Sequence, residues 1–80
     1  MKQNQPVNTE ISMSKPEVKL TLRELDVVRL IVSGLRYREI AEELGLSHET
    51  IKTYVGRIRK KLSVDSKTKI AMWAVRSGLE

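Results

Sequence analysis

Between Leu20 and Leu79 the apolar side chains recur every three or four residues in four short runs, a spacing that predicts helices and no strands. Thr21-Leu-Arg-Glu24 has the form of a capping box, in which the Thr hydroxyl accepts from the Glu24 amide and the carboxylate reaches back. Leu20 before it and Leu25 within the first turns are spaced as a hydrophobic staple. Leu25, Val28, Ile31 and Val32 continue the stripe until Gly34 stops it. A second helix is predicted over Tyr37 to Leu44, with Ile40, Ala41 and Leu44 inward and Gly45 as terminator. Ser47 offers an N-cap for a third, His48 to Leu62, in which Ile51, Val55, Ile58 and Leu62 share one line. The last, from Ser66 to Ser77, turns Ile70, Trp73, Ala74 and Ser77 to one face before Gly78. The expected fold is all-α, with four helices.

Eighty residues allow one domain, expected over 20–80. The preceding MKQNQPVNTEISMSKPEVK is polar, contains Pro6 and Pro16, and has no period. It is expected to be a flexible tail or linker, residues 1–19, with Ile11, Met13 and Val18 the side chains able to dock locally. Cysteine is absent and His48 is the single histidine, so neither disulfides nor a His or Cys metal cluster is expected. No nucleophile–base set and no glycine-rich phosphate loop is visible, which argues against an enzyme, a cofactor or a small-molecule ligand. No apolar run approaches the roughly 20 residues needed to span a bilayer, and the N-terminus lacks the apolar stretch of a signal peptide. A soluble, cytoplasmic chain with no membrane partner is expected.

The charge is unevenly distributed. The net charge is +5, yet residues 20–49 hold four basic and six acidic side chains. Thr50 to Ser63 then carries Lys52, Arg57, Arg59, Lys60 and Lys61 with no acid. Such a segment suits a polyanion, although a solvated helix face has the same composition.

The junction before it narrows the choice. Two helices crossing steeply through a short turn need a small residue where their axes approach, a glycine in the turn, and an apolar residue just beyond. Ala41, Gly45, Leu46 and Ile51 meet those needs, so the second and third helices read as a helix-turn-helix. With Ile51, Val55, Ile58 and Leu62 inward, the opposite side of the third helix is Glu49, Thr53, Gly56 and Lys60, flanked by Lys52 and Arg57. In the major groove Lys52 can donate to guanine, and Thr53 can bond or touch a thymine methyl. Glu49 can accept from cytosine or merely strengthen the helix start. Ser47 and Thr50, near the positive end of the helix, suit phosphates, as do Arg57 and Lys60 further along. Arg59 and Lys61 read equally well as solvent-exposed charge. On the last helix Ala71, Met72 and Val75 turn an apolar strip away from the packed face, which suits a partner surface.

From Leu20 to Arg76 the chain resembles the LuxR/FixJ/GerE family of DNA-binding domains. The matching residues are Leu20-Thr21, Arg23-Glu24, Gly34, Glu39-Ile40-Ala41, Leu44, Ser47, Thr50-Ile51-Lys52, Ile58, Lys61-Leu62 and Val64. The resemblance implies a four-helix domain that binds two-fold operator DNA as a dimer and regulates transcription. It also implies that Lys52 and Thr53 read bases and that the fourth helix mediates dimerisation, on DNA if not in solution. Tyr54 stands where the family usually has His; a ring against the core edge with its hydroxyl toward a phosphate would preserve the contact. Gly56 stands where a longer polar side chain is common, which removes a base contact or lets the backbone approach DNA closely. Lys67 replaces a frequent Arg, which weakens bidentate pairing there. A polar N-terminus ahead of such a domain fits the effector half of a two-component response regulator; a free-standing regulator fits too. RNA polymerase is then a possible partner. Two rivals share parts of the pattern: the last domain of a sigma factor, which Val64 and the fourth helix disfavour, and a basic protein-interaction module, to which Thr53 and Gly56 are poorly suited.

Overall fold

A computed structural model describes residues 18–79. The expected tail therefore lies outside the described residues, apart from Val18 and Lys19. Four helices make up the described part: α1 (Leu22–Val32), α2 (Tyr37–Leu44), α3 (His48–Leu62) and α4 (Lys67–Arg76). No strand occurs among these residues, and no helix is long and apolar enough to cross a membrane.

Local chemistry sets the helix ends. The Thr21 hydroxyl accepts from the Glu24 amide at 3.1 Å, and the Thr21 amide donates to Glu24 Oε1 at 2.8 Å, completing the box. Ser47 caps α3 by accepting from the Thr50 amide at 3.0 Å, and Ser66 caps α4 through the Lys69 amide at 3.1 Å. Gly45 ends α2 at φ 68°, a left-handed conformation that costs a side-chain-bearing residue about 1–2 kcal/mol. It turns the chain so that the Leu46 amide donates back to the Ala41 carbonyl, and only three residues separate α2 from α3. Ser63 takes the same left-handed role after α3, at φ 58°, without glycine's freedom.

The core is aliphatic: Val27, Val28, Ile31, Ile40, Ala41, Ile51, Val55, Ile58, Ile70 and Ala74 are buried, and Leu46, Tyr54, Leu62, Val64 and Trp73 close its edges. α1 lies against the other three helices, most extensively α4, while α2 and α3 pack on each other. One detail departs from the apolar spacing. Val27, not Leu25, fills the α1 position beside Val28, and Leu25 stays half-exposed outside the core cluster. The way α1 packs on the other helices carries Glu24, rather than Leu25, inward.

Glu24 is the one buried charged residue among those described, at 2% exposure. Lys61 reaches across from α3 and donates to its Oε1 at 2.8 Å. Burial alone pushes the Glu24 carboxyl up. The Lys61 ammonium and the Thr21 amide outweigh that and hold it below the usual carboxylate range. Lys61 therefore ties α3 to the start of α1, and its charge is committed inside the domain.

Candidate nucleic-acid interface

The arrangement of α2 and α3 decides which side chains are available. Ile51, Val55 and Ile58 are sealed in the core, which fixes the rotation of α3 about its axis. Glu49, Lys52, Thr53, Gly56, Arg57 and Lys60 are then all exposed. This is one continuous face, and beyond Glu49 it carries no acid. Lys52, Arg57 and Lys60 make no ion pair among the described residues, so their charge is free for a polyanion. Gly56 has no atom within 4 Å of where a Cβ would stand, so nothing inside the domain requires a glycine there.

Several side chains carry local duties as well. The Ser47 hydroxyl is the α3 cap and lies 2.8 Å from Thr50 Oγ1, so the two hydroxyls form one pair at the helix start. Thr53 Oγ1 donates to the Glu49 carbonyl at 3.2 Å, which leaves its methyl and its lone pairs outward. Tyr54 is half-buried against the core edge, and the Arg57 guanidinium lies 6.0 Å from its ring centroid. That contact leans Arg57 along the helix.

A second cationic region emerges that the charge distribution along the chain does not reveal. An open cleft of about 600 Å³ runs between the starts of α2, α3 and α4, lined by Arg36, Tyr37, Arg38, Glu39, Glu42, His48 and Lys67. Lys67 donates to the Leu35 carbonyl at 2.9 Å and lies 5.0 Å from the Tyr37 ring centroid. The position read as a weakened pairing site thus holds the loop before α2. Burial raises the Tyr37 hydroxyl above its usual pKa despite the nearby Arg59 charge, so the ring stays neutral. The sequence does hold a signal for this cleft: Arg36-Tyr-Arg38 places two cations at a helix start, where the backbone dipole disfavours them. It is masked because the surrounding residues 20–49 are acidic in total.

On α4, Met72 and Val75 are 46% and 56% exposed. With Thr68, Ala71 and Arg76 they line a shallow hollow of about 340 Å³. Ala71 is half-buried and also touches the core, so it forms the floor of this strip. Trp73 packs on the core from the other side.

Comparison with known proteins places the fold in a family. The pattern of the bacterial regulatory proteins, luxR family, matches residues 18–74. The transcriptional regulatory protein LiaR of Bacillus subtilis is 41% identical over 64 residues, 80% of this chain and 30% of LiaR. The response regulator UvrY of Escherichia coli is 33% identical over 79 residues, 99% of this chain and 34% of UvrY. Among solved structures, the response regulator ChrA of a heme-sensing two-component system superposes with a TM-score of 0.74 at 34% identity. That match covers 84% of this chain and 33% of ChrA. The chain therefore spans about a third of the length of the proteins it matches.

Proposed function

This chain belongs to the luxR family of bacterial regulatory proteins and is a DNA-binding domain of the transcription-regulator type, and from that premise we propose how it binds. It grips a pseudo-palindromic site as a homodimer, with α3 of each copy in the major groove. The observation that carries this is the fixed rotation of α3, which seals Ile51, Val55 and Ile58 and leaves Lys52, Thr53, Gly56 and Lys60 on one exposed face. Lys52 and Thr53 read base edges, joined by Glu49 and by Gly56, where the absent side chain brings the backbone close. Ser47, Thr50, Tyr54, Arg57 and Lys60 meet phosphates, the first two from the positive end of α3. Met72 and Val75, with Ala71 beneath, meet the same strip of the second copy. Their exposure side by side, lining one shallow apolar hollow, supports that pairing.

The domain is the effector part of a two-component response regulator, a reading supported by the relatives' own descriptions and by the fraction of them that it spans. It acts in the cytoplasm as a binding domain rather than an enzyme, and contact with RNA polymerase carries its effect on transcription.

The test is Lys52→Ala, titrated against the bound duplex and its single-base variants. Specific affinity should fall and discrimination at one base position should relax by about 1–3 kcal/mol. Intact discrimination at every position would remove Lys52 as a reader.

A further inference from the structure

Arg57 differs from the other free cations of the α3 face in having a neighbour that directs it. Its guanidinium lies 6.0 Å from the centroid of the Tyr54 ring, about one helical turn earlier. Lys52 and Lys60 have no such ring among the described residues. Lys67 does, on Tyr37, but that ammonium is already spent on the Leu35 carbonyl. Arg57 is exposed and makes no ion pair among the described residues, so no acid competes with the ring for its direction. Glu49, the acid of this face, stands more than two turns back along α3.

The ring can direct Arg57 because it is itself held. Val55, the next residue, is sealed in the core, and that rotation of α3 leaves Tyr54 half-buried and packed on the core edge. Long side chains on a helix lean toward its N-terminus, so Arg57 bends back over the Tyr54 turn, toward the half of α3 assigned to the groove. A guanidinium can lie on an aromatic face and still turn its N–H edge to two phosphate oxygens, which an ammonium point charge does not do. A free Arg side chain gives up much rotamer freedom when it docks on a phosphate. One already leaning on a fixed ring has less to give up.

We propose that the Tyr54 ring is a positioning group for Arg57: it holds the guanidinium back along α3, so that the phosphate contact is partly formed before DNA arrives. The proposal rests on the reading of α3 as the groove helix and of Arg57 as a phosphate contact. It gives Tyr54 a part in binding that runs through Arg57 and is separate from any contact of its own hydroxyl. An exposed cation–aromatic contact raises the population of the leaning conformer by about two- to fivefold, and affinity rises by up to the same factor.

The experiment is titration of one specific duplex, over a series of salt concentrations, with the full chain and with Tyr54→Phe, Tyr54→Leu, Arg57→Ala and the two double variants. Arg57→Ala should reduce the slope of log affinity against log salt by about 0.9. Tyr54→Leu keeps an apolar group at the core edge but removes the ring. It should cost about two- to fivefold more affinity when Arg57 is present than when Ala replaces it. Tyr54→Phe keeps the ring, so its cost should be the same in both backgrounds. A second readout needs no DNA: NMR relaxation of the Arg57 side-chain Nε should show restricted motion in the parent and in Tyr54→Phe, and motion as free as that of Arg38 in Tyr54→Leu. Equal costs of Tyr54→Leu in the two backgrounds would overturn the proposal. So would a Tyr54→Phe cost that depends on Arg57, which would assign the effect to the hydroxyl, or an Arg57 Nε as mobile as that of Arg38 in the parent. If Arg57→Ala leaves the slope unchanged while the parent discriminates between duplexes, the proposal fails and the α3 assignment stands. If the parent itself shows no sequence preference, the α3 assignment fails and takes the proposal with it.

Discussion

Glu24 shows how one side chain serves two elements. It completes the α1 capping box and receives Lys61 from α3, so a single carboxylate fixes both the start of one helix and its distance from another. Its carboxyl is held below the usual range, so the folded state is favoured at neutral pH, and that contribution disappears as pH falls through the lowered value. Lys61 remains 37% exposed, which moderates the strength of the pair. Glu24→Gln should destabilise the domain by about 1–3 kcal/mol at pH 7. It should also flatten the loss of stability that the parent shows below the ordinary Glu pKa of about 4.3. Urea denaturation at a series of pH values checks both; parallel curves for parent and variant would contradict the assignment. Capping was legible in the sequence because Thr21 and Glu24 are local partners. The Lys61 bond was not, because it joins residues 37 apart and depends on how α3 lies over α1.

At the scale of elements, all four helices follow from periodicity and caps, since each apolar stripe is bounded by a hydroxyl cap or a left-handed turn. Only the finer phase of α1 differed, where the choice between Val27 and Leu25 turned on tertiary packing. α3 carries the largest internal tension. It holds a glycine in mid-helix although a Cβ there would meet nothing within 4 Å. Gly56→Ala should therefore stabilise the free domain by about 1 kcal/mol, seen as a higher urea midpoint with unchanged slope. A lower midpoint would mean that the helix needs glycine for a reason internal to the fold. A glycine that weakens the free helix on its exposed face is consistent with the proposed close approach of backbone to duplex. Element-level reading also found the α3 face, because inward residues define outward ones. It missed the α2 cleft, which is assembled from three helix starts and appears only when they are brought together.

For the whole molecule, the division of labour is by helix. α1 organises the core, α2 and α3 present a cationic surface, and α4 turns Met72 and Val75 outward. A domain of this size binding alone engages one half-site; in the proposed dimer, pairing through α4 would let two copies engage both halves of a two-fold site with one linked free energy. Met72→Glu places a charge in that strip without touching the α3 face. It should weaken binding to a full site by at least tenfold more than to an isolated half-site, measured by titration of both duplexes at one salt concentration. Equal losses would place the copies' contact elsewhere. The central claim, that α3 reads DNA as part of a symmetric pair, is tested most directly by selecting bound duplexes from a random pool at about 150 mM salt, where nonspecific phosphate attraction is weakened. An enriched two-fold motif with half-sites about one helical turn apart is the predicted result. An asymmetric motif, or no enrichment at all, would contradict it.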